Sequence, residues 1–332
     1  MNSKRTTVDL LLIGAGPVGL YGAYYAGFRG LTVAVLDSLP QVGGQISALY
    51  PEKNIYDVAG FPAVRGQQLV DNLVAQAAPF EPVYVLGQEA RSLRGEPGRM
   101  VVTTAEGSEI VAGAVIVTAG AGAASPRPLP CGEDFLERGL HYFVPRLSTF
   151  DHKDVVVVGG GDSAVDWALA AVDRARSVRL IHRRRQFRAH EHSVARLRAS
   201  GCELVLDAQV AGISGTAAVD AVSVTVQGEA EPRKLPAQVV VAALGFIMRL
   251  GAIADWGFEI ENRSIMVDSA MRTSVPGVFA AGDITAYDGK VKLIAVGFGE
   301  VALAVNNAAA ALRPESGLAP GHSSDVTVLA AR

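Results

Sequence analysis

The sequence contains very few cysteines. Its 332 residues include only two, Cys131 and Cys202, which lie 71 positions apart. This count excludes a disulfide framework, a Cys-x-x-Cys redox pair and a zinc site built from cysteines. Any redox chemistry must therefore come from a bound cofactor, and we predict no metal site.

Charged residues and long apolar runs are also scarce. Charged residues make up 19% of the chain and the net charge is −3, which argues against extensive disorder and against a basic nucleic-acid-binding protein. The uncharged stretch at 110–126 is short for a membrane span and is interrupted by glycines. The apolar run at the start resembles a secretory signal, but Asp9 interrupts it. We predict a cytoplasmic protein without a membrane or nucleic-acid partner.

Glycine is abundant, with 36 residues, and two segments repeat one pattern. An apolar run at 8–13 ends in glycine, and a helical segment to Phe28 and a second strand at 31–36 follow it. The same order returns as a strand at 154–158, glycines at 159–161, a helix at 163–172 and a strand at 178–182. This repeat predicts an α/β protein with two Rossmann-like dinucleotide-binding domains.

Three further apolar runs indicate how the two domains are arranged along the chain. The runs at 114–120 and 239–245 each close one half, and a third at 277–283 lies beyond the second half. Its simplest place is back on the first sheet. We therefore predict a discontinuous first domain, 1–120 and 250–332, around an inserted domain, 121–249.

Alternating runs at 100–104, 108–111 and 221–226 predict antiparallel strands.

The first glycine turn carries a nucleotide-binding pattern. Gly14 allows a tight turn, Gly16 lets backbone N–H groups approach a pyrophosphate, and Gly19 permits close packing of the helix that opens at Pro17. Asp37 ends the next strand 18 residues after Gly19, where a carboxylate accepts ribose hydroxyls and repels a 2′-phosphate. The pattern predicts FAD or NAD; the alternative is a glycine turn with a surface aspartate.

The second turn is followed by cations instead. It comprises Gly159, Gly160, Gly161, Asp162, Ser163 and Ala164. The next strand ends in His182, Arg183, Arg184 and Arg185, and Arg188 follows. Guanidinium groups bind a 2′-phosphate bidentately, so this site predicts NADP over NAD. A solvated arginine face is the alternative, and which of Arg183, Arg184 and Arg188 bind the phosphate stays open. Together the two sites indicate FAD in the first domain, NADPH in the second, and hydride transfer between them.

These motifs resemble the thioredoxin reductase-like flavoproteins over essentially the whole chain. The segment 273–283, which ends Phe-Ala-Ala-Gly-Asp, adds to the two glycine turns. The resemblance implies their fold of two three-layer ββα domains. Those reductases carry Cys-x-x-Cys before the second turn, whereas this chain has Gly-Leu-His-Tyr-Phe-Val-Pro at 139–145. The disulfide relay is missing.

Within that group, segments 43–62, 187–191 and 320–324 resemble the thioredoxin reductase-type ferredoxin–NADP reductases. The resemblance implies that NADPH delivers a hydride to flavin N5 and that the reduced FAD then passes electrons singly to ferredoxin or flavodoxin. It implies a homodimer, and it places Tyr50 and His322 on the two faces of the flavin as stacking and gating residues. The other positions that it assigns to FAD contact are Gln45, Ala90, Ala124 and Ser324, beside Asp37 and Asp283; many members have phenylalanine in place of Ala124.

Several finer expectations concern the flavin and the motion around it. Asp283 is placed to accept a ribityl hydroxyl, and a glycine-rich turn at 296–299 is expected to aim N–H groups at the flavin. The chain crossings near Gly120 and Gly245 are expected to form a hinge. Two other functions stay open: reduction of a quinone, oxygen or a disulfide protein, and a non-catalytic redox sensor that binds both nucleotides.

Overall fold

The computed structural model describes residues 5–120, 122–319 and 321–322. By their internal contacts the residues fall into two compact units. Unit 1 comprises 1–123 and 248–332, and unit 2 comprises 124–247.

The first segment of unit 1 alternates strands and helices. Its strands are β1 (Arg5–Ile13), β2 (Val33–Asp37), β3 (Asn54–Ile55), β4 (Val64–Arg65), β5 (Val83–Leu86), β6 (Ala90–Glu96), β7 (Arg99–Thr104) and β8 (Glu109–Val117). Its helices are α1 (Pro17–Phe28), α2 (Gly44–Leu49) and α3 (Gly66–Ala77), with a 3₁₀ turn at Ala78–Phe80.

Unit 2 carries the second nucleotide-binding pattern. The strands after the first crossing are β9 (Ala123–Pro126), β10 (Leu140–His141), β11 (Asp154–Val158), β12 (Ser177–His182), β13 (Glu203–Leu206), β14 (Ala208–Gly215), β15 (Val219–Val226), β16 (Arg233–Pro236), β17 (Val239–Ala242) and β18 (Phe246–Arg249). The helices are α4 (Asp162–Val172) and α5 (Glu191–Ala199), with 3₁₀ turns at Glu133–Phe135 and Leu147–Phe150. A parallel sheet has the order β10-β17-β11-β12-β13, β14-β15-β16 form an antiparallel sheet, and β9 pairs with β18.

The chain then returns to unit 1. This segment comprises β19 (Ile260–Glu261), β20 (Ser264–Met266), β21 (Val278–Ala280), β22 (Thr285–Ala286) and α6 (Ile294–Leu312), with 3₁₀ turns at Gly251–Trp256 and Pro314–Ser316.

The central sheet of unit 1 has the order β5-β2-β1-β8-β7-β6, and β21 also pairs with β8. β5, β2, β1, β8 and β21 are parallel. As expected, the strand from the last apolar run lies on the first sheet, because Phe279 of β21 pairs with Ile116 of β8. The sheet residues Leu11, Leu12 and Ile116 are fully buried, as expected of strands covered on both faces.

The antiparallel pairing predicted for 108–111 is confirmed, but this run is not separate from the run at 114–120. Residues of both runs belong to a single strand, β8. Its first half pairs antiparallel with β7, as Met100 opposite Ala112 shows, and its second half pairs parallel with β21. The change of polarity that the sequence indicated thus belongs to the partners of one strand.

Helix α6 is long and apolar because it lies against the core. Its 19 residues include a stretch of 18 with a mean hydropathy of 1.4, enough by length and composition to cross a membrane. However, Val301, Ala304 and Val305 are fully buried in the cluster around the central sheet. Glycine lets α1 approach closely, since a Cβ at Gly22 would lie 2.7 Å from Val301 Cγ2.

Candidate functional site

Four parallel strands of unit 1 end at the same edge of the sheet. β1 ends at Ile13, β2 at Asp37, β8 at Val117 and β21 at Ala280. The glycine turn after β1, the Asp37 carboxylate and the loop that carries Asp283 therefore meet at the carboxyl edge. Open α/β sheets bind their ligands at this edge.

The three glycines of the first turn have different surroundings. Gly14 has φ +116°, and a Cβ there would lie 2.5 Å from the Thr118 carbonyl oxygen. A Cβ on Gly19 would lie 1.8 Å from the Gly14 oxygen, whereas a Cβ on Gly16 would meet nothing within 4 Å. Gly14 and Gly19 are thus required by packing. Gly16 faces open space at the start of α1, whose first residue is Pro17.

Asp37 is tied directly to this turn. One of its oxygens accepts the Ala15 N–H at 2.6 Å, and the other accepts the Leu39 N–H at 2.8 Å. Burial raises the pKa of Asp37 above its ordinary value, and the two N–H donors oppose that shift. Each carboxylate oxygen has a second lone pair, so both can still accept a hydroxyl.

Tyr50 and Asp283 lie close enough to interact. Tyr50 directly follows the last residue of α2, and Asp283 follows Gly282 in the loop after β21. Burial raises the pKa of Tyr50 to about 12, with smaller contributions from the charges of Asp283 and Asp57. The phenol of Tyr50 is therefore neutral and protonated at neutral pH, beside two carboxylates.

The remaining residues assigned to FAD are placed as follows. A Cβ at Gly120, after β8, would lie 3.9 Å from Gln45 Nε2. Ala90 is buried at the start of β6. His322 is exposed. The side chain of Ala124, in β9, and all of Ser324 lie outside the described residues.

The expected glycine-rich turn at 296–299 is wrong. α6 begins at Ile294, so these residues lie inside its first two turns, and the Gly297 N–H donates to the Leu293 carbonyl at 3.0 Å. Packing explains the glycine, because a Cβ at Gly297 would lie 2.5 Å from Val18 Cγ2 and 3.4 Å from Gly282 Cα. Gly297 thus brings α6 against the loop of Asp283.

The second glycine turn repeats this arrangement in unit 2. Gly159 has φ +149°, and a Cβ there would lie 2.4 Å from the Ala243 oxygen. A Cβ on Gly161 would meet nothing within 4 Å. Ala164 is fully buried in α4, which begins at Asp162 and includes Ser163. Here too one glycine is needed for packing and another faces open space at a helix start.

The segment after β12 is fastened to this turn. The Arg188 N–H donates to the Gly160 oxygen at 2.8 Å, and the His190 N–H donates to Asp162 Oδ1 at 2.9 Å. Arg185 instead pairs with Asp207 at 2.6 Å. Arg183, Arg184 and Arg188 are exposed, and within the described part of the chain no salt bridge engages them. Three guanidinium groups thus remain available.

His182 lies against the second glycine turn. A Cβ on Gly160 would lie 2.1 Å from the imidazole, whose Nε2 is 3.1 Å from the Gln186 oxygen. The ring also contacts Phe187, with the centroids 5.2 Å apart. Burial lowers the pKa of His182 against the opposing hydrogen bond with the Gln186 oxygen, and the neighbouring arginines add to the lowering. The imidazole is therefore neutral at neutral pH and packs on the turn.

Comparison with known proteins identifies the family. The sequence model of the family described as pyridine nucleotide-disulphide oxidoreductase matches residues 8–311. A ferredoxin–NADP reductase from Saccharopolyspora erythraea is 58% identical over 320 residues, 96% of this chain and 98% of the relative. One from Thermus thermophilus is 47% identical over 323 residues, 96% of each chain. The chain belongs to the ferredoxin–NADP reductases.

The fold class of this ferredoxin–NADP reductase is confirmed by solved structures. The thioredoxin reductase of T. acidophilum superposes with a TM-score of 0.78 and 27% identity, covering 93% of this chain and 99% of that one. The predicted thioredoxin reductase-like fold and the family resemblance are both confirmed.

The cysteines separate this reductase from the disulfide chemistry in the broader family name. Cys131 is half-buried and Cys202 is buried. Burial raises the pKa of both thiols, that of Cys202 to about 11. Thiols with a raised pKa are poor nucleophiles, and 71 residues separate the two in a sequence that has no others.

Two residues outside the predicted site, Thr118 and Glu300, support it in this reductase. Thr118 Oγ1 donates to the Ile13 and Gly14 oxygens and so fastens the first turn to β8. Glu300 accepts the Gly282 N–H at 2.7 Å beside Asp283. Glu300 is the one charged residue in the printed sequence of 294–312, and that isolation was a signal of its role.

Proposed function

We propose that this member of the ferredoxin–NADP reductases moves electrons between NADPH and ferredoxin or flavodoxin through bound FAD. Family membership implies FAD as the cofactor and NADPH as the substrate. The observation that carries the assignment of the two nucleotides is the opposite charge at matching strand ends. A carboxylate, Asp37, ends β2 of unit 1, and the exposed Arg183 and Arg184 follow β12 of unit 2.

The residues of unit 1 fit FAD. The space at Gly16 admits a pyrophosphate against the first N–H groups of α1, where no acidic side chain or side-chain cap competes. Asp37 has lone pairs left for the adenosine ribose. When bound, FAD supplies two-electron exchange with NADPH and one-electron exchange with an iron–sulfur protein.

The stacking residues would enclose the flavin. Tyr50 offers a neutral ring, since its pKa of about 12 keeps the phenol protonated, and Asp283 beside it would accept a ribityl hydroxyl. His322 would cover the other face. A ring in the place of the nicotinamide must move before NADPH can react, so these residues would gate the reaction.

The residues of unit 2 fit NADPH. The open space at Gly161 lies at the start of α4, where the Asp162 carboxylate is engaged by the His190 N–H. The guanidinium groups of Arg183, Arg184 and Arg188 would bind the 2′-phosphate. Ser163 and Ala164 belong to the first turn of the same helix, and His182 packs on the turn.

We also propose a hinge between the two domains and an oligomeric state for the protein. Gly120 and Gly245, with φ +59° and +86°, would form the hinge between the FAD domain, 1–120 and 250–332, and the NADPH domain, 121–249. A homodimer is the assembly that the family resemblance implies, and the cytoplasm is the location that we assign to it.

Arg29 holds the segment before His322 in place, because its guanidinium donates to the Gly317 oxygen at 2.7 Å and the Leu318 oxygen at 3.1 Å.

Anaerobic addition of NADPH to the purified holoprotein tests this function. We expect the flavin absorption band to bleach, and the flavin to be reoxidised faster by ferredoxin than by air. Lack of bleaching would reject every oxidoreductase role and favour a sensor. Bleaching without faster reoxidation by ferredoxin would instead favour a quinone, oxygen or a disulfide protein as acceptor.

A further inference from the structure

The loop that carries Asp283 is held from the side by one buried carboxylate. Glu300, on α6, is 4% exposed, and its Oε2 accepts the Gly282 N–H at 2.7 Å. Gly282 has φ +85°, a backbone conformation that few other residues adopt without strain. The contact therefore fixes the backbone immediately before the residue assigned to the flavin.

The second oxygen of Glu300 has two donors of its own. Tyr287 Oη donates to Oε1 at 2.6 Å, and the Lys290 ammonium forms an ion pair with the same oxygen. Lys290 has only 8% of its side chain exposed, and its Nζ lies 5.4 Å from the centre of the Tyr287 ring. Burial, followed by the contact with Glu300, raises the pKa of Tyr287 to about 12, so its hydroxyl remains a donor.

The sequence explains why Glu300 can reach the loop. Gly297 lies three residues earlier on the same helical face, and its lack of a side chain lets α6 approach Gly282, since a Cβ there would lie 3.4 Å from Gly282 Cα. The glycines at 297 and 282 and the carboxylate at 300 thus act as one packing arrangement. Burying an ion pair costs free energy. Stabilisation of the fold therefore does not by itself explain why the buried Lys290–Glu300 pair lies beside this loop.

We propose that Glu300 is a positioning residue for FAD binding, acting through the Gly282–Asp283 loop, and that Lys290 and Tyr287 hold its carboxylate in place. The proposal rests on the proposed function, because it takes Asp283 as a flavin contact. It adds three residues that neither the glycine motifs nor the family resemblance assigned.

The test compares Glu300→Gln with Asp9→Asn in the holoprotein. The amide that replaces the carboxylate in the first variant has a single acceptor oxygen, so either the loop or Lys290 loses its partner. We expect the Kd for FAD, measured by flavin fluorescence, to rise about tenfold, and the visible flavin spectrum to shift. Asp9 also accepts several donors in unit 1, from Thr32 and Arg313, so Asp9→Asn should lower thermal stability but leave the Kd for FAD unchanged.

A double-mutant cycle decides whether Glu300 acts through Asp283. If it does, Glu300→Gln should weaken FAD binding less in an Asp283→Asn background than in the wild type. Additive losses, an equal loss in Asp9→Asn, or a folded Glu300→Gln protein with unchanged FAD affinity would overturn the proposal. If Glu300→Gln does not fold, Tyr287→Phe keeps the ion pair and removes one donor, and we expect its Kd for FAD to rise about threefold; an unchanged Kd would overturn the proposal.

Measurements on the wild-type holoprotein distinguish a failure of the proposed function from a failure of the proposed role of Glu300. A wild-type protein that binds no FAD would reject the proposed function itself. A wild-type protein that binds FAD and bleaches with NADPH, with a Glu300→Gln variant that binds FAD equally well, would reject only the role of Glu300.

Discussion

The Asp37 carboxylate accepts the Ala15 N–H at 2.6 Å, which joins the acidic end of β2 directly to the glycine turn after β1. The residue that would select the ribose thus also holds the turn that would receive the pyrophosphate. A change at Asp37 should therefore weaken FAD binding through both contacts.

The first prediction is that FAD affinity depends on the ionisation of Asp37. Burial raises its folded-state pKa above the ordinary value of 3.8. The folded apoprotein therefore holds the proton of Asp37 more tightly than the unfolded chain does. The contribution of this group to folding stability is full below pH 3.8 and is lost as the pH rises through the folded-state pKa. A ribose hydroxyl needs the ionised form, so FAD affinity should fall as pH falls through that pKa.

Titration of FAD binding against pH in the wild type and in Asp37→Asn measures this effect. We expect the variant to bind FAD about tenfold more weakly at neutral pH and to lose the acid-dependent part of the wild-type curve. Identical pH profiles for the two proteins would contradict the role of Asp37.

The second prediction separates the glycine that binds from the glycine that packs. A Cβ at Gly16 meets nothing within 4 Å, and the residue has φ −71°, so Gly16→Ala should fold normally but bind FAD at least about tenfold more weakly. A Cβ at Gly19 would lie 1.8 Å from the Gly14 oxygen, so Gly19→Ala should lower the melting temperature of the apoprotein.

Thermal unfolding of both apoproteins and FAD titration of both variants give the comparison. Gly161→Ala and Gly159→Ala form the equivalent pair for NADPH, because only Gly159 is crowded, 2.4 Å from the Ala243 oxygen. If Gly16→Ala retained the FAD affinity of the wild type, the pyrophosphate would have to bind at a place other than Gly16.

The third prediction concerns the choice of NADPH over NADH. Arg183 and Arg184 are exposed without a salt bridge among the described residues, whereas the adjacent Arg185 pairs with Asp207. Arg183→Ala with Arg184→Ala should raise the KM for NADPH at least about tenfold, as expected for lost charge-assisted hydrogen bonds, and leave the KM for NADH nearly unchanged.

Arg185→Ala is the matched control, since it removes a neighbouring guanidinium that is already paired. We expect it to change neither KM by more than about twofold, in line with the small contribution of surface ion pairs. Equal losses for NADPH and NADH in the double variant, or an equal effect of Arg185→Ala, would contradict this placement of the 2′-phosphate.

Local sequence patterns predicted the strands and turns of both sites well. The strand at 154–158 and the helix ending at 172 match β11 and α4. In an α/β protein, an apolar run followed by glycines and a helical segment fits few local structures other than strand, turn and helix. The return of 278–280 to the first sheet was also predicted, since a buried apolar strand needs a neighbouring strand.

The parts that the sequence did not predict depend on contacts between distant segments. A glycine-rich stretch at 296–299 indicated a turn, yet it is helical because Gly297 packs on Val18 and Gly282. Similarly, the isolated charge of Glu300 in an apolar helix marks the residue but does not show that its partner is the Gly282 N–H. Glycine allows both a turn and a close helix contact, and only the tertiary packing decides between them.

The fourth prediction is that Tyr50 acts through its ring and not through its hydroxyl. Burial raises the pKa of this phenol to about 12, so it carries no charge in the working pH range. Tyr50→Phe should therefore retain FAD affinity and kcat within about twofold, with no new pH dependence, whereas Tyr50→Ser should raise the Kd for FAD about tenfold through lost aromatic contact. A large effect of Tyr50→Phe would assign the hydroxyl a role.

The fifth prediction concerns His322, which we place on the flavin face opposite Tyr50. His322→Ala tests whether this side chain blocks the nicotinamide. If the imidazole occupies the place that the nicotinamide needs, its removal should speed flavin reduction by NADPH in stopped-flow measurements while it weakens FAD binding. Arg29→Ala releases the chain at Gly317 and Leu318, four residues before His322, so it should change the reduction rate in the same direction and by less. Because neither change touches Asp37 or Arg183, a slower reduction in His322→Ala would mean that this residue aligns the nicotinamide and does not block it.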